Sequence, residues 1–373
     1  MSLCENPEHV TDFDQIRRPK YSLYDGAAPS TLKRNPSLDI EFLAFSGGGV
    51  SGLSYIGVLM EFQKRNLLEG IKYLVGSSSG ALICTLVALG ASPEFILHKL
   101  TTVNLSSFFT ALGHEYKKNN PLSKFLCGYY GIPEFIKNFG VCSSQPFMNW
   151  YASCILELGY SCGLTFAELY EKTGIHLVIT TCCLNTKTTL YLSRSSYPHM
   201  KIVEAVNMSI LLPFILQPVQ FDDPHLPESV TNNCPIYCID GGMLDNTALN
   251  ACDVTSPEGE IVGFNRRAIA FMPVEEGRWT SDFTPIHNIV DFSLSVIRTM
   301  HNSIHIAQGN QEYFWERIVP IETSDVSAID FDIRPESVAQ LIASGQNATA
   351  KYLDRRAQMI QEKGPLPENL FIP

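Results

Sequence analysis

The chain has 373 residues, 45% hydrophobic and 17% charged, a composition typical of globular proteins and unlike that of disordered or fibrous chains. Its formal net charge of −11 argues against a nucleic-acid partner, because the overall field repels phosphate groups. The length allows two or more domains, or one large α/β domain.

The cysteines and the apolar segments indicate the cellular compartment. Eleven cysteines are an odd count and about 3% of the chain, well below a disulfide framework. The spacings of Cys182-Cys183 and Cys234-x-x-x-Cys238 match no zinc pattern. No secretory signal is recognisable, and the longest helix-like apolar run, residues 81–89, is too short to span a bilayer. We therefore expect a cytoplasmic protein with reduced thiols and no transmembrane helix.

Two strand–turn–helix units follow an N-terminal extension predicted over residues 1–38. Their strands, glycine turns and helices are predicted, in order, at residues 40–45, 46–52 and 53–68, then 71–75, 76–80 and 81–89. Two such units in about fifty residues predict a largely parallel sheet covered by helices on both faces.

Residues 91–160 contain aromatic residues at irregular spacing, which predicts an inserted, partly helical cover. The aromatic side chains there could line an apolar channel or form ordinary core packing, and the sequence leaves both open. Later elements are a short helix, a buried strand and two longer helices, predicted at residues 165–170, 176–181, 286–304 and 335–352. We expect a catalytic domain over residues 39–352 and a C-terminal tail over 353–373.

Gly76-Ser77-Ser78-Ser79-Gly80 fits the G-x-S-x-G pattern of a nucleophile elbow. The pattern stands between a predicted strand and a predicted apolar helix, which is the context that an elbow requires. There the strained turn exposes the serine hydroxyl, and the N-terminus of the helix points at it. This favours Ser78 as a nucleophile over a serine-rich helix cap.

Three interpretations compete for the turn Gly47-Gly48-Gly49-Val50-Ser51-Gly52. A phosphate-binding P-loop is excluded because it requires lysine where Leu53 stands. A dinucleotide site requires an acidic residue at the end of the next strand, and that strand ends in the elbow instead. An oxyanion hole is favoured, since backbone without side chains lets N–H groups approach a developing alkoxide closely. An ordinary structural turn remains as a further interpretation beside these three.

A serine nucleophile also requires a base. None of the nine histidines stands in a glycine-rich loop at a strand end. Ile239-Asp240-Gly241-Gly242 places a carboxylate at a tight turn, although an ordinary Asp-Gly turn is the stronger interpretation from these residues alone.

In their order these elements resemble the patatin-like phospholipase family over roughly residues 39–352. The resemblance includes the glycine turn, the elbow and Asp240-Gly241-Gly242-Met243-Leu244-Asp245-Asn246, and three further segments at residues 164–174, 184–186 and 208–214. It implies a three-layer α/β/α sandwich with a largely parallel central sheet. It also implies a Ser-Asp dyad without histidine, with Ser78 as nucleophile and Asp240 as base.

The family route is hydrolysis of a carboxylic ester through an acyl-enzyme, and it uses no metal or organic cofactor. We expect the oxyanion to be stabilised by the amides of Gly47 to Val50 and of Ser79. The expected substrate is a phospholipid or related acyl-glycerolipid, reached by transient contact with a membrane surface. Because the net charge is negative, that contact requires apolar or locally basic surface, such as residues 17–20 or 117–118.

The chain departs from the family pattern at two positions of the glycine turn. Ser51 stands where many members carry arginine or lysine, and Ser46 where many carry an acidic or otherwise polar residue. These departures leave the backbone amides unaffected. The alternative function is a catalytically weak protein that binds a lipid or a partner on the same fold.

Overall fold

The computed structural model describes residues 38–108, 137–226, 231, 234–255, 261–274, 286, 295–296, 299–300, 314–323, 326, 331–364 and 371–372. In these residues the strands are β1 (Phe42–Phe45), β2 (Tyr73–Ser77), β3 (Gly140–Cys142), β4 (His176–Cys183), β5 (Thr188–Ser193), β6 (Phe214–Leu216), β7 (Val219–Phe221), β8 (Ile236–Asp240), β9 (Val254–Thr255), β10 (Ile261–Asn265), β11 (Ala268–Val274), β12 (Ile318–Glu322) and β13 (Phe371–Ile372). The α-helices are Ser54–Lys64, Ser79–Ala88, Pro93–Thr102, Gln145–Glu157, Phe166–Thr173, Ile202–Ser209 and Pro335–Lys363.

The central sheet has the order β12-β11-β1-β2-β4-β8-β7, and β5 pairs with β4 off this path. The five strands from β12 to β4 are parallel to one another, whereas β5 and β8 run antiparallel to β4. Both faces are buried, since Leu43 and Phe45 of β1 pack in one core and Phe42 and Ala44 in another. The predicted α/β/α sandwich with a largely parallel sheet is confirmed.

Strands β2 and β8 share one edge of β4. β5 pairs with residues 178–183 of β4, so it occupies the opposite edge from both. On the shared edge, β2 ends with Ser77 beside Thr180, and β8 ends with Asp240 beside Thr181. The two strands therefore meet end to end, and their carboxyl ends face each other.

Three aromatic residues of the predicted cover are core residues. Phe108, Phe147 and Tyr151 are buried in the larger core, and the Tyr151 hydroxyl donates to the carbonyl of Leu82 at 3.0 Å. For these three side chains the core-packing alternative holds, and the Tyr151 hydrogen bond attaches the segment to the helix Ser79–Ala88. Residues 109–136 of the cover lie outside the described residues, as do residues 1–37 and most of the helix predicted at 286–304.

The last helix extends beyond its predicted end. It begins at Pro335 as expected but continues to Lys363, so the boundary predicted after residue 352 falls inside it. The cause is tertiary packing, because Leu353 is fully buried and Arg356 is buried as well. Arg356 donates three hydrogen bonds, to the carbonyls of Leu38, Asp39 and Arg266.

Two further observations concern the thiols and the helices. The nine cysteines in the described part of the chain are free thiols. Among the described residues, none of the helices is long and apolar enough to cross a membrane.

Candidate active site

Ser78 occupies a strained turn between β2 and the helix that begins at Ser79. Its φ of 52° and ψ of −123° lie outside the regions that side chains other than glycine favour. The flanking glycines make the turn possible. A Cβ at Gly76 would lie 2.5 Å from the backbone of Ala81, and one at Gly80 would overlap the carbonyl of Phe45. The local geometry is therefore that of a nucleophile elbow.

The Ser78 hydroxyl donates a hydrogen bond of 2.7 Å to Oδ2 of Asp240. The other carboxylate oxygen, Oδ1, accepts the amide of Gly242 at 2.8 Å. Asp240 ends β8, so the meeting of β2 and β8 along β4 places these two side chains together. The contact joins residues 162 positions apart in the chain.

The Asp240 carboxyl is buried, with 3% of its surface exposed. Burial raises its pKa from 3.8 to about 6, although the hydrogen bonds from Ser78 and Gly242 favour the ionised form. A carboxylate with this raised pKa is a stronger base than an exposed aspartate and remains ionised at neutral pH.

One short segment contacts both members of the Ser78–Asp240 pair. The hydroxyl of Ser209, at the end of the helix Ile202–Ser209, accepts the amide of Ser78 at 2.8 Å. Two residues later, the carbonyl of Leu211 accepts the amide of Asp240 at 2.9 Å. Residues 209–211 thus connect the elbow to the strand end that carries the carboxylate.

The glycine turn lies directly against Ser78. A Cβ on Gly47 would lie 2.6 Å from Oδ1 of Asn246 and 3.0 Å from Cβ of Ser78, so a side chain here would displace one of these neighbours. The amide of Gly47 donates to the carbonyl of Asn246 at 3.2 Å, and that of Gly48 to the Ser79 hydroxyl at 3.1 Å. Two of the amides expected in an oxyanion hole therefore already have partners.

Unlike the amides of Gly47 and Gly48, those of Gly49, Val50 and Ser79 are available to a ligand. Gly49 and Val50 begin the 3₁₀ helix Gly49–Leu53, and Ser79 begins an α-helix, so their N–H groups have no acceptor within the helix. Within the described part of the chain, no hydrogen bond engages these three amides. They can donate hydrogen bonds to an anionic oxygen without breaking an existing contact.

Asn246 links the glycine turn to the turn that follows Asp240. Its side-chain amide donates to the carbonyl of Gly47 at 3.3 Å. A Cβ on Gly242 would lie 2.6 Å from Oδ1 of Asn246, so the second glycine after Asp240 leaves room for this side chain. Gly241 also has no room for a side chain, because a Cβ there would overlap the carbonyl of Thr180.

The serines that depart from the family pattern have structural contacts. Ser51 is buried, and its hydroxyl donates to the carbonyl of Val326 at 3.3 Å. Ser46 is fully buried, and its hydroxyl lies 3.1 Å from that of Tyr55. Among the described residues, no group of three or more His, Cys, Asp or Glu side chains could hold a metal ion.

A model of one known family matches the sequence, and the match covers residues 43–253, more than half of the chain. Its description is "Patatin-like phospholipase". The chain belongs to this family. Membership in the patatin-like phospholipases supports lipid hydrolysis as the general class of activity.

Two viral relatives and one solved structure are similar to this patatin-like phospholipase. The uncharacterized protein R571 of Acanthamoeba polyphaga mimivirus is 28% identical over 306 residues, which cover 82% of this chain and 90% of the relative. The probable lipid hydrolase 463L of Invertebrate iridescent virus 6 is 24% identical, over 52% of this chain and 61% of the relative. VipD of Legionella pneumophila has 17% identity and a TM-score of 0.48, covering 85% and 67% of the two chains.

Sequence reasoning assigned no role to two residues of the patatin-like site. Ser209 and Asn246 stand in segments that carry the family resemblance, but their contacts join parts of the chain that are distant in sequence. The one available indication was a polar residue beside an apolar helix end or a glycine turn.

Proposed function

We propose that this protein is a serine acyl hydrolase that cleaves carboxylic esters of phospholipids or related acyl-glycerolipids. The observation that carries the proposal is the 2.7 Å hydrogen bond from the Ser78 hydroxyl to the buried Asp240 carboxylate. Family membership supports the lipid class of the substrate.

In the first half of the reaction, Oγ of Ser78 attacks the ester carbonyl carbon while its proton passes to Oδ2 of Asp240. The tetrahedral intermediate places a negative charge on the former carbonyl oxygen. Its collapse breaks the bond to the leaving alcohol, which takes the proton from Asp240, and an acyl-Ser78 ester remains. The raised pKa of Asp240 supports both proton transfers, because the group can accept and return a proton near neutral pH.

In the second half, Asp240 removes a proton from water, and the resulting hydroxide attacks the acyl-enzyme carbonyl. Collapse of the second tetrahedral intermediate releases a fatty acid, and Ser78 recovers its proton from Asp240. Both steps pass through an oxyanion, which we assign to the amides of Gly49, Val50 and Ser79. The amides of Gly47 and Gly48 instead hold the glycine turn in place, through Asn246 and Ser79.

The proposed location follows from the state of the cysteines. The free state of the nine described cysteines supports the prediction of a reducing compartment, and we propose the cytoplasm. There the enzyme would contact a membrane surface transiently to reach its lipid.

A fluorophosphonate probe tests the nucleophile, and vesicles of mixed phospholipids test the substrate. We expect labelling of the native protein and release of free fatty acid, and loss of both in Ser78→Ala. Ser77→Ala is the matched control, because the hydroxyl of Ser77 is next to Ser78 in the chain, is buried and has no hydrogen-bond partner. Equal labelling of Ser78→Ala would contradict the assignment, and absence of fatty acid release would favour a lipid-binding role.

A further inference from the structure

Three large apolar side chains near the site are exposed to solvent. Phe139 is 54% exposed, Leu184 48% and Phe214 41%. Tyr237 joins them, since its ring lies 5.4 Å from that of Phe139 in an edge-to-face contact. We call these four residues the aromatic patch.

The strands make the aromatic patch continuous. Phe139 directly precedes β3, whose first residue, Gly140, pairs with Phe214 of β6. On the other side, the amide of Leu184 donates to the carbonyl of Tyr237 at 2.9 Å, which extends the pairing of β4 with β8. Backbone pairing and ring contact thus connect all four residues.

The patch lies beside the candidate active site on two independent paths. Tyr237 precedes Asp240 by three residues in β8, a distance of about 10 Å along an extended strand. Phe214 follows Leu211 by three residues, and the carbonyl of Leu211 accepts the Asp240 amide. On both paths, three residues of chain separate the patch from Asp240 or from the residue that holds its amide.

The backbone of both phenylalanines is in the left-handed region. Phe139 has a φ of 58° and Phe214 a φ of 69°, values that are unfavourable for bulky side chains. A glycine or an asparagine would be less strained at either position. The fold thus maintains strain at two neighbouring positions whose aromatic side chains are exposed, and such strain is characteristic of functional surfaces.

Two cations flank the patch. Lys137 and Lys187 are exposed, two residues before Phe139 and three after Leu184. Neither lysine forms an ion pair with any other residue that the structure describes. In a chain of net charge −11, this local positive charge complements an anionic surface.

We propose that the aromatic patch is the surface through which the protein docks on a lipid bilayer, with Lys137 and Lys187 facing anionic headgroups. This inference rests on the proposed function, because a hydrolase of membrane lipids must draw its substrate out of a bilayer beside its catalytic residues. Apolar and aromatic side chains beside basic residues are the composition that binds at such an interface.

The test measures vesicle binding separately from catalysis. Binding is measured by flotation with vesicles of phosphatidylcholine and phosphatidylserine in equal amounts, using protein that carries Ser78→Ala so that lipid is not consumed. Adding Phe139→Asn and Phe214→Asn should lower binding about tenfold or more, since burying a phenyl side chain is worth at least that factor. Lys137→Gln and Lys187→Gln should each lower binding up to about fivefold at low salt.

The matched control is Met359→Asn. Met359 is 40% exposed in the last helix, close to Arg356, which binds the carbonyl of Leu38 ahead of β1. It therefore lies toward the opposite end of the sheet from the glycine turn, and its substitution should leave vesicle binding unchanged.

A soluble short-chain ester, p-nitrophenyl butyrate, separates this proposal from the proposed function. With Ser78 intact, the double phenylalanine variant should hydrolyse this ester as fast as the native protein. Loss of vesicle binding in a protein that never hydrolyses the ester would support docking and contradict the proposed function. Unchanged vesicle binding in the double variant would overturn docking while leaving hydrolysis intact.

Two further measurements complete the test. If the double variant does not fold, as judged by circular dichroism, Leu184→Asn replaces it, because Leu184 stands in an exposed turn. Sedimentation equilibrium without lipid examines self-association. A dimer that the patch substitutions dissociate would assign the surface to a second copy of the chain and overturn lipid docking.

Discussion

The backbone amide of Ser78 donates a hydrogen bond to the side-chain hydroxyl of Ser209, at 2.8 Å. Because Ser78 has a positive φ, its turn is strained, and this contact opposes relaxation of the turn. The same segment holds Asp240 through the carbonyl of Leu211, so it sets the position of the proposed nucleophile relative to the proposed base.

Ser209→Ala removes the acceptor of the Ser78 amide and leaves that N–H without its partner. We expect kcat to fall about tenfold with little change in KM, because small displacements of a nucleophile are costly for the chemical step. The rate of fluorophosphonate labelling should fall with it. Ser54→Ala is the control, since Ser54 is equally buried and its hydroxyl has no partner. Equal losses in both variants would indicate a general packing effect.

The pH dependence follows from the pKa of Asp240, which burial raises to about 6. Only the ionised carboxylate accepts the Ser78 proton, so kcat/KM for a soluble ester should rise as pH increases through about 6 and then level off. A profile that rises near 4 instead, as for an exposed aspartate, would argue against Asp240 as the base.

Asp240→Asn should abolish turnover and also stabilise the protein. A raised carboxyl pKa means that the folded state binds the proton more tightly than the unfolded state. The contribution of Asp240 to stability is therefore greatest below the unfolded pKa of 3.8 and declines as pH rises to about 6. The neutral amide removes this cost, so the free energy of unfolding at pH 8 should increase by about 1–3 kcal/mol. Denaturant unfolding at pH 8 measures the change, and a less stable variant would contradict it.

Gly47→Ala places a methyl group 2.6 Å from Oδ1 of Asn246 and 3.0 Å from Cβ of Ser78. The glycine turn must then move away from Ser78, and we expect activity to fall about 100-fold. Gly70→Ala is the control because its new Cβ would meet only the carbonyl of Ile40, at 3.9 Å. Steady-state kinetics on one soluble ester compares the two variants, and similar activities would count against contact of the turn with Ser78.

Arg356→Ala should destabilise the fold although Arg356 lies far along the last helix. Its guanidinium donates to three backbone carbonyls, and alanine would leave them without these partners. We expect a loss of about 2–4 kcal/mol in the free energy of unfolding. The neighbouring Arg355 is exposed, so Arg355→Ala should change stability little. Denaturant titrations of both variants make the comparison, and equal stabilities would contradict a stabilising role of the Arg356 hydrogen bonds.

The elements that the sequence predicted well are those with a local cause. The apolar run before the glycine turn, the elbow between β2 and its helix, and the helix start at Pro335 each follow from neighbouring residues. The end of that last helix was missed because Leu353 and Arg356 are held by partners far away in the chain.

The same distinction between local and distant causes applies to the residues of the site. G-x-S-x-G identified Ser78 as a candidate from local pattern, whereas Asp240 required the family resemblance, because an Asp-Gly turn alone is ambiguous. Nothing local indicates that the Gly47 amide is taken by Asn246 or that Ser209 supports the elbow. Those contacts depend on which strand ends meet, and that is a property of the whole sheet.

The end-to-end meeting of β2 and β8 along β4 has a consequence for how this chain can change. Thr180 pairs with Ser77 and the adjacent Thr181 pairs with Asp240, so the pairing register of β2 and β8 on β4 fixes the separation of Ser78 and Asp240. Inserting one residue into β4 or β8 would shift Asp240 by about 3.4 Å and turn its side chain to the other face. Ser78 and Asp240 are 162 positions apart, and most of the residues between them do not take part in this strand pairing. Apart from the helix Ile202–Ser209 and residues 209–211, loops and helices there can lengthen, shorten or be replaced, and substrate preference can diversify, while the Ser78–Asp240 pair stays fixed.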